Sequence, residues 1–175
     1  MTRLEEIDHQ AEELMTREQW AAAVSLIDQV LPDERTARMH WHHGWALSKL
    51  EKFEPAAQSL QLCVAREPMN PIAHWALGVV LREHGDLRGA EHHLLTALSL
   101  RDSGLARLNL AVLYMDEGRL DDAERVHLDG LELKPNDRER VERYANFLSD
   151  CGRDAEAERQ YARAATLPAR RRKAV

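Results

Sequence analysis

Small residues recur along this chain with a period of roughly 34 residues, and no other feature of the sequence constrains the possible fold as strongly. One series with this spacing is Gly44, Gly78, Ala111 and Ala145. A second series keeps the same steps: Ala56, Ala90, Ala123 and Ala157. A looser copy comes first, with Ala11 and Ala23 one period ahead of the first members. A constant period of this length predicts five stacked supersecondary units.

The stretch from residue 71 to residue 104 shows what one repeat contains. Two amphipathic helices are predicted on either side of His84-Gly85-Asp86, because Gly85 can adopt a left-handed backbone and Asp86 can cap the second helix. The second helix has one apolar stripe at spacings of three and four: Leu87, Ala90, Leu94, Ala97, Leu98 and Leu100. Neither helix can bury its apolar surface alone, so each repeat needs neighbours of the same kind.

Proline and capping residues mark the breaks between repeats. Leu31-Pro32-Asp33 is predicted to end the second helix of the first repeat, because proline cannot donate a hydrogen bond inside a helix. Asn70, Ser103 and Asp137 occur at the later breaks, where each can cap the helix that follows. No linker separates the repeats, so one continuous array is expected.

This repeat pattern resembles the tetratricopeptide repeat family. The third copy matches the family motif with Leu77-Gly78 in its first helix, Gly85 in the turn, and Ala90 and Ala97 in its second helix. The resemblance implies an all-α fold, a right-handed α-solenoid of five helix-turn-helix repeats. The repeats are expected at about 4–36, 37–70, 71–103, 104–137 and 138–171. They would form a single array over residues 1–168, followed by a basic C-terminal tail at residues 169–175.

The resemblance also implies that the first helix of each pair lines a concave groove. The groove positions of the middle repeats carry mainly aromatic and aliphatic residues: Arg38, Trp41, Trp45, Ile72, Trp75, Val79, Arg82, Leu105, Leu108, Val112 and Met115. The groove positions of the first and fifth repeats are mostly acidic: Glu5, Asp8, Glu12, Glu139 and Glu142. Arg38, Arg82 and Asn109 are predicted to hydrogen-bond the backbone or an acidic side chain of a ligand.

The strongest functional signal is the group Trp41, Trp45 and Trp75, because the family motif does not require tryptophan at these positions. On an open concave face the rings would be exposed unless a ligand covers them, and large exposed apolar patches mark interaction sites. The alternative is that the rings pack against each other and against adjacent helices. The groove hypothesis predicts a protein partner, bound as an extended peptide or a helix, with apolar anchors and basic flanks.

These features predict a non-enzymatic protein-interaction module, such as an adaptor, an assembly factor or a chaperone-like protein. The alternative is a structural protein that forms a homodimer through the same apolar face. A carboxylate clamp for the acidic tails of heat-shock chaperones is rejected, because no set of consecutive repeats carries its lysine, asparagine and arginine residues. The net charge of −6 and the pI of about 5.8 argue against nucleic acid as the main partner.

Catalysis and metal binding find little support in the sequence. The nine histidines include His40, His42 and His43, but no cysteine or carboxylate joins them at a zinc-site spacing, so structural roles are predicted. His92 and His93 are expected on a solvated helix face. The sequence has no nucleophile elbow, phosphate-binding loop or dinucleotide fingerprint. We therefore expect no enzymatic activity, no cofactor and no bound metal.

Cysteine content and hydropathy favour a cytoplasmic protein. Cys63 and Cys151 lie far apart in the sequence and suggest no disulfide framework, and Cys63 is predicted to be a buried small residue. The segment from Met1 to Trp20 is acidic and amphipathic, unlike a signal peptide. No stretch approaches the roughly 20 consecutive apolar residues of a membrane span.

Overall fold

Ten α-helices follow one another between residues 2 and 168, the part of the chain that the computed structural model describes. Their bounds are α1 Arg3–Thr16, α2 Trp20–Ile27, α3 Ala37–Lys49, α4 Phe53–Arg66, α5 Pro71–His84, α6 Leu87–Leu100, α7 Gly104–Asp116, α8 Leu120–Leu133, α9 Arg138–Asp150 and α10 Asp154–Thr166. This part of the chain contains no β-strand. The all-α class and the five helix-turn-helix pairs are confirmed.

The recurring small residues lie where the two helices of a pair approach closely. A Cβ atom added to Gly78 on α5 would lie 2.8 Å from Leu94 Cγ and 3.2 Å from the Ala90 carbonyl oxygen on α6. Ala90 itself is fully buried. The repeating glycine and alanine positions are therefore packing requirements, because larger side chains would push the helices apart.

The turns inside the pairs use one backbone conformation with two kinds of residue. Gly85, Gly118 and Gly152 have φ of 92°, 72° and 72°, the left-handed conformation predicted for Gly85. At the equivalent turns of the first two pairs, Glu18 and Glu51 adopt φ of 58°. A side chain at such a φ is strained, so the first two turns are less favourable than the later three.

The predicted caps between pairs are present. Asn70 Oδ1 accepts hydrogen bonds from the amides of Ile72 and Ala73, at 2.9 and 3.3 Å. Ser103 and Asp137 accept from backbone amides at the starts of α7 and α9. Within a pair, Asp86 caps α6 in the same way.

The prediction for Pro32 is wrong, because α2 ends at Ile27, well before the proline. The intervening segment turns so that Val30 is buried beside Ile27 and Met39. The Val30 carbonyl oxygen accepts a hydrogen bond from Arg35 Nε at 3.0 Å. Pro32 instead begins a single 3-10 turn, where its missing donor has no cost.

The helices group into two compact units, one ending at Asp102 and the other beginning at Ser103. Unit 1 contains α1–α6, and unit 2 contains α7–α10. The single array over residues 1–168 stays a prediction. The predicted basic tail, residues 169–175, lies outside the described residues. None of the helices described between residues 2 and 168 combines the length with the apolar character that a membrane span requires.

Candidate protein-binding surface

Three tryptophans of unit 1 stack on one another. Trp41 and Trp45 are four residues apart on α3, so both project from one helix face. Their ring centroids are 5.9 Å apart and the rings are nearly parallel, at 8°. Trp75 on α5 continues the series, with its centroid 5.3 Å from that of Trp45 and an angle of 36°. We call this group the tryptophan stack, with Trp45 at its centre.

The stack is half-buried rather than fully exposed. The rings pack against each other, and Trp41 and Trp45 also pack on a core cluster of Met15, Ala23 and Ala46. This packing is the alternative that the sequence left open, and the rings are half-buried rather than exposed as the groove hypothesis expected. Each ring nevertheless keeps a partly accessible surface, so the stack is both a structural element and a candidate contact surface.

The polar atoms around the stack are already engaged or hidden. The Lys49 ammonium lies 4.9 Å from the centroid of the Trp45 ring and occupies its cation–π position. The indole nitrogens of Trp41 and Trp75 are buried and have no hydrogen-bond partner among the described residues. The accessible part of the stack is thus mainly an apolar surface.

Arg38, predicted to bind ligand, is held by helix α1. Its Nε lies 3.1 Å from Asp8 Oδ2, and its guanidinium also pairs with Glu12. His42 Nδ1–H donates to Asp8 Oδ1 at 2.7 Å. Two acidic groove positions of the first repeat, Asp8 and Glu12, are therefore largely neutralised within unit 1. The guanidinium of Arg38 is committed to these carboxylates.

A pocket of about 360 Å³ opens beside Trp41. Helices α3, α4 and α5 and the break before α5 contribute its lining: Ala37, Arg38, Trp41, His42, Cys63, Glu67, Asn70 and Ile72. The interior is mainly apolar, because Ala37 and Cys63 belong to a small buried cluster on which Trp41 packs. We call this cavity the Trp41 pocket.

Ile72, Val79 and Arg82 of α5 differ in accessibility. Ile72 is 44% exposed and lines the Trp41 pocket. Val79 is half-buried, and the half-buried guanidinium of Arg82 pairs with Glu83. Of the predicted groove residues in unit 1, the structure therefore brings Trp41, Ile72 and Arg38 together around one cavity.

In unit 2 the predicted residues lie on α7. Leu105 is 51% exposed. The others are half-buried: Leu108, Asn109, Val112 and Met115. The Asn109 side-chain amide donates to the Leu105 carbonyl oxygen at 2.8 Å, so this amide is engaged within its own helix. The predicted acidic positions on α9 are again paired, Glu139 with Arg143 and Glu142 with Arg138.

Two family models support the repeat assignment. One tetratricopeptide repeat model matches residues 42–98, and a second matches residues 81–143. Together they span residues 42–143, more than half of the 175-residue chain. The chain belongs to the tetratricopeptide repeat family. Tetratricopeptide repeats are protein-interaction scaffolds and are typically non-catalytic, so membership supports a role in protein–protein interaction.

Several solved structures of MamA are similar to this tetratricopeptide repeat protein. The MamA RS-1 ArsTM double mutant has a TM-score of 0.74 at 13% identity, over 94% of this chain and 94% of that one. A crystal structure of MamA protein has 0.73 at 18% identity, over 92% and 89%. MamA MSR-1 has 0.69 at 20% identity, over 93% and 95%. These likenesses show the fold alone. No curated protein matches the sequence significantly.

Most histidines of the tetratricopeptide repeat protein are buried or half-buried. His40 is fully buried, and this burial lowers its pKa to about 4, with Arg66 and Arg35 acting in the same direction. His127 in unit 2 is buried against Tyr144 and Phe147, and burial likewise lowers its pKa to about 4. Within the described residues, no three histidine, cysteine or acidic side chains are grouped to hold a metal ion.

His93 does not lie on a solvated face, and that prediction is wrong. It is half-buried because its ring packs on His74, with centroids 5.2 Å apart. His93 Nδ1–H donates to His74 Nδ1 at 2.9 Å, while His74 Nε2–H donates to the Pro68 carbonyl at 3.0 Å. Burial first, then the neighbouring His74, lowers the pKa of His93 to about 4. His92 is exposed, as expected.

One polar cluster contains the residue types of a nucleophilic triad. Ser59 Oγ lies 2.7 Å from His43 Nδ1, and His43 Nε2 lies 3.1 Å from Asp28 Oδ1. Ser59 is buried, however, and Arg35 Nη1 approaches the same His43 nitrogen at 3.4 Å. A serine nucleophile needs access to substrate and a free general base. This arrangement instead links buried polar side chains of the first two repeats, since Ser59 and Arg35 both approach His43 Nδ1.

The Trp41 pocket and the role of Glu67 and Asn70 in it were not predicted from the sequence. Asn70 was identified only as a helix cap, but its Nδ2 also donates to Glu67 Oε2 at 2.7 Å. The available signal was the break between α4 and α5, which carries both residues before Pro71. Cys63 is buried as predicted, and burial raises the pKa of its thiol to about 11.

Proposed function

We propose that unit 1 binds a segment of another protein across the tryptophan stack and the adjoining Trp41 pocket. The protein would act as a non-enzymatic adaptor, assembly factor or chaperone-like module in the cytoplasm. The observation that carries this proposal is the tryptophan stack itself. Three half-buried indoles from two neighbouring repeats form one apolar surface.

The physical properties of the stack support such a role. Tryptophan is enriched among the residues that dominate interface energies, since its large ring buries much apolar area at low entropic cost. Stacking fixes the ring of Trp45 between its two neighbours before any ligand arrives. A surface that is ordered in advance loses less conformational entropy on binding.

The apolar residues of α7 form a separate candidate contact surface within unit 2. This surface would consist of Leu105, Leu108, Val112 and Met115, with Asn109 on the same helix. The ligand is proposed to be an extended or helical segment with apolar anchors, since the polar groups of Arg38, Arg82 and Asn109 are already bonded within the protein.

Partner capture with matched variants tests the proposal. Wild type, a Trp41→Ala, Trp75→Ala double variant and a Leu95→Ala control would be immobilised equally and exposed to host proteins. Leu95 is 46% exposed on α6 and lies outside the stack. Loss of one interface hot spot costs about 2 kcal/mol, or about 30-fold in affinity. A partner retained by wild type and the control, but lost by the double variant, is expected.

Two results would contradict the proposal. Equal partner retention by the folded double variant, with helicity checked by circular dichroism, would place the binding surface elsewhere. Light scattering decides between a protein ligand and self-association, and a monomer is expected for the wild type. A wild-type dimer that becomes a monomer in the double variant would show that the apolar face serves homodimerisation instead.

A further inference from the structure

We propose that the Trp41 pocket receives one large apolar side chain of the partner segment, and that a lysine or arginine close to this side chain pairs with Glu67. This inference rests on the proposed function, because it assigns chemistry to one part of the same surface. It commits to a partner with an apolar residue and a nearby cation.

The interior of the pocket fits an apolar side chain. Trp41 forms one wall, and Ala37 and Cys63 contribute buried surface. With a pKa raised to about 11, the Cys63 thiol stays neutral at physiological pH and adds no charge. The volume of about 360 Å³ exceeds the roughly 150 Å³ that holds a benzene ring in an apolar protein cavity. A leucine, methionine or phenylalanine side chain therefore has room.

The charged side chains at the rim of the Trp41 pocket favour a ligand that carries a positive charge. Arg38 carries the positive charge, but Asp8 and Glu12 both pair with it, so this side of the rim is not cationic. Glu67 is exposed and forms no ion pair with any residue between 2 and 168. The summed charge of these four side chains is negative. A cation on the ligand would complement it.

Glu67 is also held in position. The Asn70 side chain is fixed because its oxygen caps α5 through the amides of Ile72 and Ala73. The amide nitrogen of Asn70 is thereby directed to Glu67 Oε2, at 2.7 Å. A carboxylate fixed in this way loses less side-chain entropy when it pairs with a ligand. Such rim pairs contribute to the choice of partner more than to overall affinity.

Ile72 completes the entrance. It is 44% exposed at the first turn of α5, and its side chain adds neither charge nor a hydrogen-bonding group to the rim. An apolar side chain that enters the pocket would cover Ile72 and remove it from water. The pocket thus has an apolar interior, an apolar entrance residue and one oriented carboxylate.

Defined peptides provide the test. The probes are synthetic decapeptides of serine and glycine with one central phenylalanine, flanked on both sides by lysine, serine or glutamate. Each is titrated into the full-length ¹⁵N-labelled protein at low salt, and backbone amide shifts are followed in the first turn of α3, the last turn of α4 and the first turn of α5. Lysine-flanked peptide is expected to bind about 3- to 10-fold more tightly than serine-flanked peptide, and glutamate-flanked peptide least.

Charge-reversal variants distinguish loss of the charge interaction from loss of folding, because a misfolded variant would not invert the order of peptide affinities. Glu67→Lys should invert the order, so that glutamate-flanked peptide binds best, while Glu54→Lys, an exposed carboxylate elsewhere on α4, should leave the order unchanged. Ile72→Asp should weaken binding of the serine-flanked peptide, which carries no charge beside its phenylalanine. An unchanged order in Glu67→Lys, or equal binding of lysine- and glutamate-flanked peptides to wild type, would overturn the proposal.

Failure of the pocket and failure of the proposed function give different results. Shifts confined to residues around Trp45 and Trp75, with no dependence on peptide charge, would overturn the pocket assignment and leave the tryptophan stack as the binding surface. No shift anywhere in unit 1, even with peptide in large excess, would overturn the pocket assignment and count against the proposed function as well.

Discussion

Helices α3 and α7 have equivalent places in their repeats but present different chemistry. At one groove position unit 1 has Trp41 and unit 2 has Leu108, and four residues later the pair is Trp45 and Val112. The indoles of unit 1 contact each other and reach Trp75 of the next repeat. Leu108 and Val112 are also half-buried, but they have no rings to stack. The repeat determines where a side chain lies, and the residue type determines whether a continuous surface forms.

Lowering the pH should produce the largest difference in stability between the two units. The pKa values of His40 and His93 in unit 1, and of His127 in unit 2, are lowered to about 4 in the folded protein. Below a pH of about 6.5 the unfolded chain therefore binds protons that the folded units do not. Stability should fall by at most about 1.4 kcal/mol per pH unit for each of these histidines, between a pH of about 6.5 and about 4.

Unit 1 should lose stability more steeply, since burial also lowers the pKa of His43. Hydrogen exchange at two pH values, about 6.5 and about 5, above the usual carboxylate range, would measure each unit separately. His127→Leu should flatten the response of unit 2 alone. Equal slopes of stability against pH in the two units would contradict this expectation.

Removal of the central indole should be the most damaging single substitution in the groove positions. Trp45→Ala deletes contacts to Trp41 and Trp75 and to the Met15 cluster, so a loss of about 3 kcal/mol is expected. Val112→Ala at the equivalent place in unit 2 should cost about 1 kcal/mol, because it removes only two half-buried methyl groups. Urea unfolding followed by circular dichroism would compare them. Similar costs would mean that the stack adds little to stability.

Exchanging glycine and alanine at the close-packed helix positions should lower stability in both directions. Gly78→Ala forces a Cβ against Leu94 and the Ala90 carbonyl, and a net loss of about 1–2 kcal/mol is expected despite the better helix propensity of alanine. Ala111→Gly in unit 2 should cost about 1 kcal/mol, chiefly through backbone entropy. Denaturation midpoints would show both effects. Stabilisation by Gly78→Ala would indicate looser packing than the contact distances imply.

Substitutions in the turns inside the helix pairs should change stability least. The expected change has opposite signs for the two variants, one in each unit. Glu51→Gly relieves a side chain at φ 58°, and a gain of a few tenths to about 1 kcal/mol is expected after the larger unfolded-state entropy of glycine is subtracted. Gly118→Ala in unit 2 should lose about 1 kcal/mol at φ 72°. Thermal melting of both variants provides the measurement. A destabilising Glu51→Gly would show that Glu51 contributes interactions beyond its backbone.

Local and periodic features of this protein could be predicted from sequence. The five helix pairs, the left-handed Gly85 and the capping by Asn70, Ser103 and Asp137 depend on residues within one repeat. Their signals are close in sequence and recur. The end of α2 could not be predicted, because it depends on Val30 being buried against helices of two repeats.

The candidate site was predicted less completely for a similar reason. The identity of Trp41, Trp45 and Trp75 was visible, but their mutual stacking, which leaves them half-buried, depends on the approach of α3 and α5. The engagement of Arg38 depends on Asp8, which belongs to the preceding repeat. Long-range pairs of this kind leave no periodic trace in a single sequence.

The placement of the indoles has a consequence for optical measurements on this protein. All four tryptophans, including Trp20, precede Asp102, so indole emission comes only from unit 1. Trp41 and Trp45 are close and nearly parallel, so their transitions should couple and give an exciton signal that reports directly on the order of the stack. Tryptophan-selective excitation therefore reports on unit 1 alone, and a separate signal is needed to follow the unfolding of unit 2.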